Sequence, residues 1–259
     1  MTESGGASGA RGRQRADQLL VEQGLADSRS RARSLIMAGR VHAGGRRIDK
    51  PGTMLPADTA LAVKGDDHPW VSRGGIKLAH AISRFGLAER IGSAVAIDVG
   101  ASTGGFTDVL LHHGAARVYA VDVGYGQLAD KLRRDPRVVV LERTNARHLD
   151  RGHVPEEVDV VVCDASFISL KTVLPAPLSL LKPGGLVVAL IKPQFEAGPR
   201  HVGRGGVVRD PAVREAVVAD IRSWFEAQGH RVLGIAESPI RGPKGNVEVL
   251  IAAEKGAGA

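Results

Sequence analysis

The sequence predicts an α/β chain in which a doubly wound, mostly parallel sheet follows a small α+β unit, and three observations predict it. Apolar runs of strand length alternate with helix-period segments from residue 95 to residue 253, the pattern of a sheet covered on both faces. Within that region residues 97–111, IDVGASTGGFTDVLL, read as a buried strand that breaks into a glycine turn and reopens as a helix. The charge is also uneven. Residues 1–64 hold 11 Lys/Arg against 6 Asp/Glu, whereas the other 195 residues hold 24 against 22, so five of the seven net positive charges sit in the first quarter. Such asymmetry points to a basic module with a polyanionic partner. A chain of 259 residues accommodates one sizeable α/β domain plus something small.

Taken in order, residues 1–13 are dominated by Gly, Ser, Ala and Arg, with little to bury, and predict a disordered tail. Ala16, Leu19 and Leu20 form one stripe of a helix over 14–23, which Gly24 closes. Ser28 is placed to cap a second helix running to 38, with Arg29 and Arg33 on one face and Arg40 just past its end. Short strands at 41–42, 46–48 and 60–63, with a turn at Gly44–Gly45, complete a compact unit spanning 14–64. Residues 65–72 read as a linker stiffened by Pro69, with Trp70 available as an anchor, and 73–259 as the larger domain. There an amphipathic helix comes first. Strands follow at 95–100, 117–123, 138–143, 158–165 and 186–191, with helices at 103–113, 126–134, 170–181 and 211–228. A hairpin of 231–236 and 247–253 closes the sheet. On helix 211–228, Val213, Ala216, Val217, Ile221, Trp224 and Phe225 recur at helical spacing and predict a core face.

Composition narrows the function classes. Hydrophobic residues make up 43% of the chain, enough for a core, yet no apolar run approaches the ~20 residues of a membrane span. The first residues lack the apolar middle of a signal peptide, which predicts a cytoplasmic protein. Cys163, the single cysteine, lies inside VVCDAS and reads as core filler. The 9 histidines show no metal-ligand spacing, so no metal is predicted. With 3% aromatics and no basic amphipathic helix bearing an aromatic face, a membrane-active role is disfavoured.

The glycine loop carries the first chemistry. Gly100 permits the sharp turn, and Gly104 and Gly105 are expected to let backbone N–H groups approach a ligand at a helix N-terminus. Asp122 ends the second strand, where an acid can grip a ribose hydroxyl. A nucleoside-bearing cofactor fits, but the loop G-A-S-T-G-G lacks the full dinucleotide fingerprint. Asp98, directly ahead of it, would repel a diphosphate and suits the cationic amino-acid end of S-adenosyl-L-methionine. The loop resembles motif I of class I (Rossmann-like) methyltransferases.

Four further charges stand where charge is costly. Asp164 ends the strand VDVVVC, Lys192 ends GLVVALI, Glu248 opens the last strand in GNVEVLI, and Lys77 lies on the helix SRGGIKLAHAI. They resemble the Lys-Asp-Lys-Glu tetrad of FtsJ-like ribose 2′-O-methyltransferases. That resemblance implies Lys192 as the central residue on a ribose hydroxyl, a poor nucleophile that needs help in losing its proton. Likewise, GLADSRSRARSLIMAGRVHAGGRRIDKPGTMLPADTALAV, residues 24–63, resembles the S4 RNA-binding domain, whose match assigns phosphate contacts to Arg29 and Arg33, with Arg40 nearby.

Finally, WVSRGGIKL, DVGASTGGFTDVLL, DVGYGQL, DPRVVVLERTNAR, DASFISL, IKPQFE and SPIRGPKGNVE together look like the TlyA family, from about residue 14 to residue 253. The resemblance implies 2′-O-methylation of cytidine in bacterial ribosomal RNA of the large ribosomal subunit. In longer members the small subunit is also a target, with sensitivity to capreomycin-type antibiotics. It also implies cofactor contacts from Gly100, Ser102, Gly104, Gly105, Asp122, Asn145, Asp164 and Phe167; Ser102, Asn145 and Phe167 rest on it alone. A non-catalytic RNA-binding or ribosome-assembly protein is the alternative, and base methylation the other enzymatic one. The segment 192–208, glycine-rich with Arg200, His201 and Arg204, reads either as an RNA clasp or as a loose loop.

Overall fold

The computed structural model describes residues 12–26, 28–64 and 68–258. Most of the expected tail, residues 1–11, and the linker positions 65–67 lie outside them. Contacts divide the chain into two units, with the boundary between residues 67 and 68.

The smaller unit runs β1 (Arg13–Arg15), α1 (Ala16–Glu22), α2 (Arg29–Met37), β2 (Val41–Ala43), β3 (Arg46–Arg47), β4 (Met54–Pro56) and β5 (Leu61–Val63). Ala16, Leu19 and Leu20 of α1 pack on Ala32, Leu35 and Ile36 of α2. Ser28 caps α2 by accepting from the Arg31 N–H at 3.1 Å. Strands β3, β2 and β5 form a three-stranded sheet. The antiparallel pair β1–β4 was not expected, because three residues are too few to show a period of two. It places Arg13 and Gln14, expected in a tail and in a helix, in an extended segment.

The larger unit opens with α3 (Gly74–Phe85), whose Lys77, Leu78, Ala81 and Ile82 are buried on one face and which Gly86 ends in a left-handed conformation. Then follow β6 (Val95–Val99), α4 (Gly105–His112), β7 (Arg117–Val121), α5 (Asp130–Arg133), β8 (Val138–Leu141), β9 (Val158–Cys163), α6 (Leu170–Val173), α7 (Pro175–Ser179), β10 (Leu181–Ile191), α8 (Pro193–Glu196), α9 (Pro211–Ala227), β11 (Arg231–Glu237) and β12 (Val249–Glu254). The seven strands lie in the order β11-β12-β10-β9-β6-β7-β8. All adjacent pairs from β10 to β8 are parallel, and β12 runs antiparallel to both β10 and β11. The chain moves from β6 outward through β7 and β8 and returns to β9 on the other side of β6. Their carboxyl ends therefore flank the crevice where such sheets bind ligands. Leu78 and Leu110 build the core on one face of the sheet, and Ile221 and Phe225 on the other. Cys163 is buried in the second core, as expected of filler.

Two differences from expectation have local causes. Residues 68–72 belong to the larger unit, since the Val71 N–H donates to Asp108 at 2.8 Å and Trp70 packs on the core. Gly75 makes room for that tryptophan, for a Cβ there would stand 2.4 Å from the Trp70 side chain. The expected helix 170–181 is two short helices, because Pro175 and Pro177 remove amide donors and Pro175 instead opens a new first turn.

Candidate active site

The carboxyl edge of β6 and β7 forms the first half of the site. Gly100 has φ +80°, and a Cβ on it would lie 2.9 Å from the Ala165 Cα, so no other residue passes this crossing without moving the chain after β9. Ser102 also adopts positive φ, 49°, and donates its N–H to Asp122 Oδ2 at 2.8 Å. The Gly124 N–H donates to Asp122 Oδ1 at 2.7 Å. Asp122 is thus fixed at a strand end with acceptor capacity to spare. Ser102, Asp122, Gln127 and Glu142 line a cleft over an apolar floor of Ala101, Ala120, Leu128 and Val140. Hydroxyl groups need the first set and a flat base the second. Glu142, held by Arg133 and the Gly126 N–H, did not emerge from the sequence, although an acid directly after β8 was a usable signal.

Gly104 and Gly105 are also required by packing. A Cβ on Gly104 would meet Leu132 at 2.3 Å, and one on Gly105 would meet the Ser72 Oγ at 2.3 Å. Both are buried, and both are glycine because other segments pack directly on them. Asp98 is fully buried. Its Oδ2 accepts from the Thr107 N–H at 2.9 Å and the Thr107 hydroxyl at 2.7 Å, tying β6 to α4, while Oδ1 has no partner. Burial without a cation pushes the Asp98 carboxyl up to about 7. Asn145 spends its Oδ1 on the Arg147 N–H at 3.1 Å, where it caps a single turn at Ala146–His148. Phe167 is 90% exposed, holds φ +65°, and meets Phe195 in a tilted pair at 5.1 Å between centroids. An exposed aromatic on a strained backbone is an arrangement that folding alone does not require.

The second half joins residues from four distant segments. Lys77 Nζ donates to Glu248 Oε2 at 2.7 Å and lies 3.5 Å from Asp164 Oδ2. Lys192 Nζ lies 2.6 Å from Asp164 Oδ1 and donates to the Asp164 carbonyl at 3.0 Å and to the Ser166 Oγ at 2.8 Å. The four tetrad residues thus alternate in sign along one chain of contacts, and Lys77, Lys192 and Glu248 are all buried. Glu248 is the most deeply buried of the four. A Cβ on Gly242 would stand 2.2 Å from its Oε1. Ser166, which sequence reasoning missed, is exposed and places a hydroxyl directly on Lys192.

The segment after Lys192 is tied down. Asn246, itself buried, accepts from the Val208 N–H at 3.3 Å and donates to the Gly206 carbonyl at 2.9 Å. Gly203 and Val207 also bridge, and Arg200, His201 and Arg204 stay exposed. In the small unit Arg29 and Arg33 do share a face, and both reach Asp17. Arg40 lies toward the Lys64 carbonyl, at 3.4 Å, and does not join them. Among the described residues no helix is long and apolar enough to cross a membrane, and no group of His, Cys, Asp or Glu could hold a metal ion.

Comparison with known proteins places both units. Residues 70–255 match the FtsJ-like methyltransferase family and residues 14–60 match the S4 domain. The chain is 50% identical over 240 residues to the 16S/23S rRNA (cytidine-2′-O)-methyltransferase TlyA of Mycobacterium tuberculosis, covering 92% of this chain and 89% of that one. It is 39% identical to Hemolysin A of Brachyspira hyodysenteriae, covering 91% and 98%. A solved structure from Streptococcus thermophilus, described as a hemolysin, is 43% identical and superposes with a TM-score of 0.74 over 96% of this chain and 90% of that one.

Proposed function

The chain belongs to the FtsJ-like methyltransferases and, within them, to the S4-bearing TlyA family, and from that premise we propose that it methylates the 2′-oxygen of cytidine ribose in bacterial ribosomal RNA. One observation carries the reading most strongly: the alternating chain Glu248–Lys77–Asp164–Lys192 stands at the same sheet edge as the Gly100 turn. The cleft fits the nucleoside end of S-adenosyl-L-methionine, with Asp122 and Glu142 as hydroxyl acceptors and Leu128 and Val140 beneath the base. The unpartnered Oδ1 of Asp98 and the backbone of Gly100 fit its amino-acid end. Bound there, it would supply an electrophilic methyl group.

The protein's own part is to hold the nucleophile. Lys192 Nζ has three contacts, and the one to the exposed Ser166 hydroxyl is the one a ribose 2′-hydroxyl can replace. Asp164 fixes the ammonium from one side, while Lys77, anchored by Glu248, fixes Asp164. Lys192 is thereby restrained in direction, and orientation of this kind contributes strongly to a transfer whose donor is already activated. Arg29 and Arg33 supply salt-dependent affinity and register. An enzyme with this substrate works beside ribosomes, in the bacterial cytoplasm.

The test is methyl transfer from labelled S-adenosyl-L-methionine to isolated 30S and 50S subunits, comparing wild type with Lys192→Ala and mapping the product by mass spectrometry. The expected result is 2′-O-methylcytidine, reduced at least about 100-fold in the variant, which loses the group that orients the hydroxyl and its proton. A methylated base, or no transfer despite tight cofactor binding, overturns the reading.

A further inference from the structure

The small unit contains a polar centre that phosphate contacts by Arg29 and Arg33 do not explain. Asp17, in the first turn of α1, is fully buried, yet three guanidinium groups converge on it. Arg15 grips it with a fork, Nε to Oδ1 at 2.9 Å and Nη2 to Oδ2 at 3.0 Å. From α2, Arg29 Nη2 and Arg33 Nε each reach Oδ2 at 3.3 Å. The three arginine side chains remain 40%, 54% and 58% exposed. Gly52 closes the fourth side, for a Cβ there would press on Arg15 Nη1 at 3.2 Å. Backbone bonds hold that loop in place, from the Ala16 N–H to the Thr53 carbonyl at 2.8 Å and from the Asp17 N–H to the Pro51 carbonyl at 3.1 Å.

A carboxylate buried only to join two helices needs one cation. Three cations on one anion leave two positive charges in excess, and each guanidinium keeps N–H groups beyond those it gives to Asp17. Arginine forks match phosphate geometry, and a fork already held in place loses less side-chain freedom on binding. We infer that Asp17 is a positioning residue that holds Arg15, Arg29 and Arg33 as a preformed seat for an RNA backbone phosphate. This rests on the ribosomal-RNA reading above and adds to it Arg15, and the acid at the centre. The Arg15 fork, with Arg33 and Arg29 behind it, holds the Asp17 carboxyl well below the usual carboxylate range, so the anion persists wherever ribosomes are intact.

The sign of one substitution separates this from simple neutralisation. Full-length Asp17→Asn gains a unit of positive charge. If the acid merely cancels the arginines, affinity for 30S and 50S subunits rises; if it positions them, affinity falls by about fivefold or more despite the added charge. Affinity for S-adenosyl-L-methionine, measured by calorimetry, stays at the wild-type value. An unchanged or raised affinity for both subunits overturns the inference. Should Asp17→Asn unfold the small unit, Arg15→Lys gives the answer, because it keeps the charge and removes only the fork. A loss of about threefold in that variant, with an unaltered thermal unfolding profile, supports the seat, and wild-type affinity overturns it. Wild type assayed alongside for methyl transfer separates the two claims: its failure removes the ribosomal reading, whereas wild-type transfer with unaffected variants removes only the seat.

Discussion

In the larger unit Glu248, Lys77 and Lys192 are buried around a half-buried Asp164, so both cations of the network are shut away from solvent. In the small unit Asp17 alone is buried, and its three arginine partners stand about half exposed. The two networks share their chemistry and differ in which member is sequestered. Burying the lysines keeps their charge unscreened and fixed in direction, as a group acting on one substrate atom must be. Leaving the arginines wet keeps them free for an extended polyanion, with salt-sensitive affinity. Placement of the cation therefore separates a reacting centre from a docking surface more clearly than residue type does.

The largest expected effect tests the buried side of that contrast. Lys77→Met leaves Glu248 buried without its cation, and removing one partner of such a pair costs roughly 3–5 kcal/mol of stability. Urea unfolding followed by circular dichroism measures it, and a midpoint equal to wild type would show that the network is not electrostatically linked. The double variant Lys77→Met with Glu248→Leu recovers most of that stability, because two well-packed apolar groups replace the pair, but does not recover methyl transfer. Recovery of both would assign Lys77 and Glu248 to folding alone.

These networks were unequally legible in the sequence. Lys77, Asp164, Lys192 and Glu248 stood out because each interrupts or ends an apolar run, where a charge is costly. Asp17 did not, since an acid in the first turn of a helix is ordinary, and its partners on α2 lie 12 and 16 residues away. The strand and helix order was readable from periodicity, whereas the β1–β4 pair was too short to register. Glycine positions were readable, but their packing reasons were not. Gly100 is required by the chain after β9, yet Gly104 and Gly105 answer to Leu132 and Ser72, side chains that only the folded sheet brings near. The bond between Asp98 and Thr107 was likewise invisible, because Thr107 lies one turn into the next helix.

Asp98 provides a smaller and more selective test, since it is a buried carboxylate with no cation at all. Its folded value of about 7 stands above the ~3.9 of an unfolded chain. Between those values the folded protein holds a proton that the unfolded chain has released. The stability of the larger unit therefore falls as pH rises from about 4 to about 7 and levels off above. For Asp17 the shift has the opposite sign. Its contribution is complete above about 4 and is lost only as pH falls from there toward the depressed folded value. Hydrogen exchange resolved by segment, run from about pH 5 to about pH 8, should show protection in β6 and α4 declining while that of α1 and α2 holds. Asp98→Asn keeps an acceptor for Thr107 and abolishes the decline; a decline that survives in this variant would assign it to another group.

The smallest expected change in stability belongs to the exposed arginines, and it makes the contrast quantitative. Arg29→Ala with Arg33→Ala leaves Asp17 in the Arg15 fork, so unfolding shifts by no more than about 1 kcal/mol, the range of solvent-exposed pairs. Binding responds more than folding does. Loss of two of the three arginines of the phosphate seat weakens affinity for ribosomal subunits about tenfold and makes the slope of log affinity against log salt shallower by about 1. Affinity for S-adenosyl-L-methionine is expected to stay unchanged, because the cleft residues Ser102, Asp122 and Glu142 belong to the other unit. Equal loss of cofactor and subunit affinity would mean that the two units do not divide the labour as their ion networks imply. Unaltered salt dependence would mean that these arginines face solvent without meeting phosphate, and that docking relies on other parts of the chain.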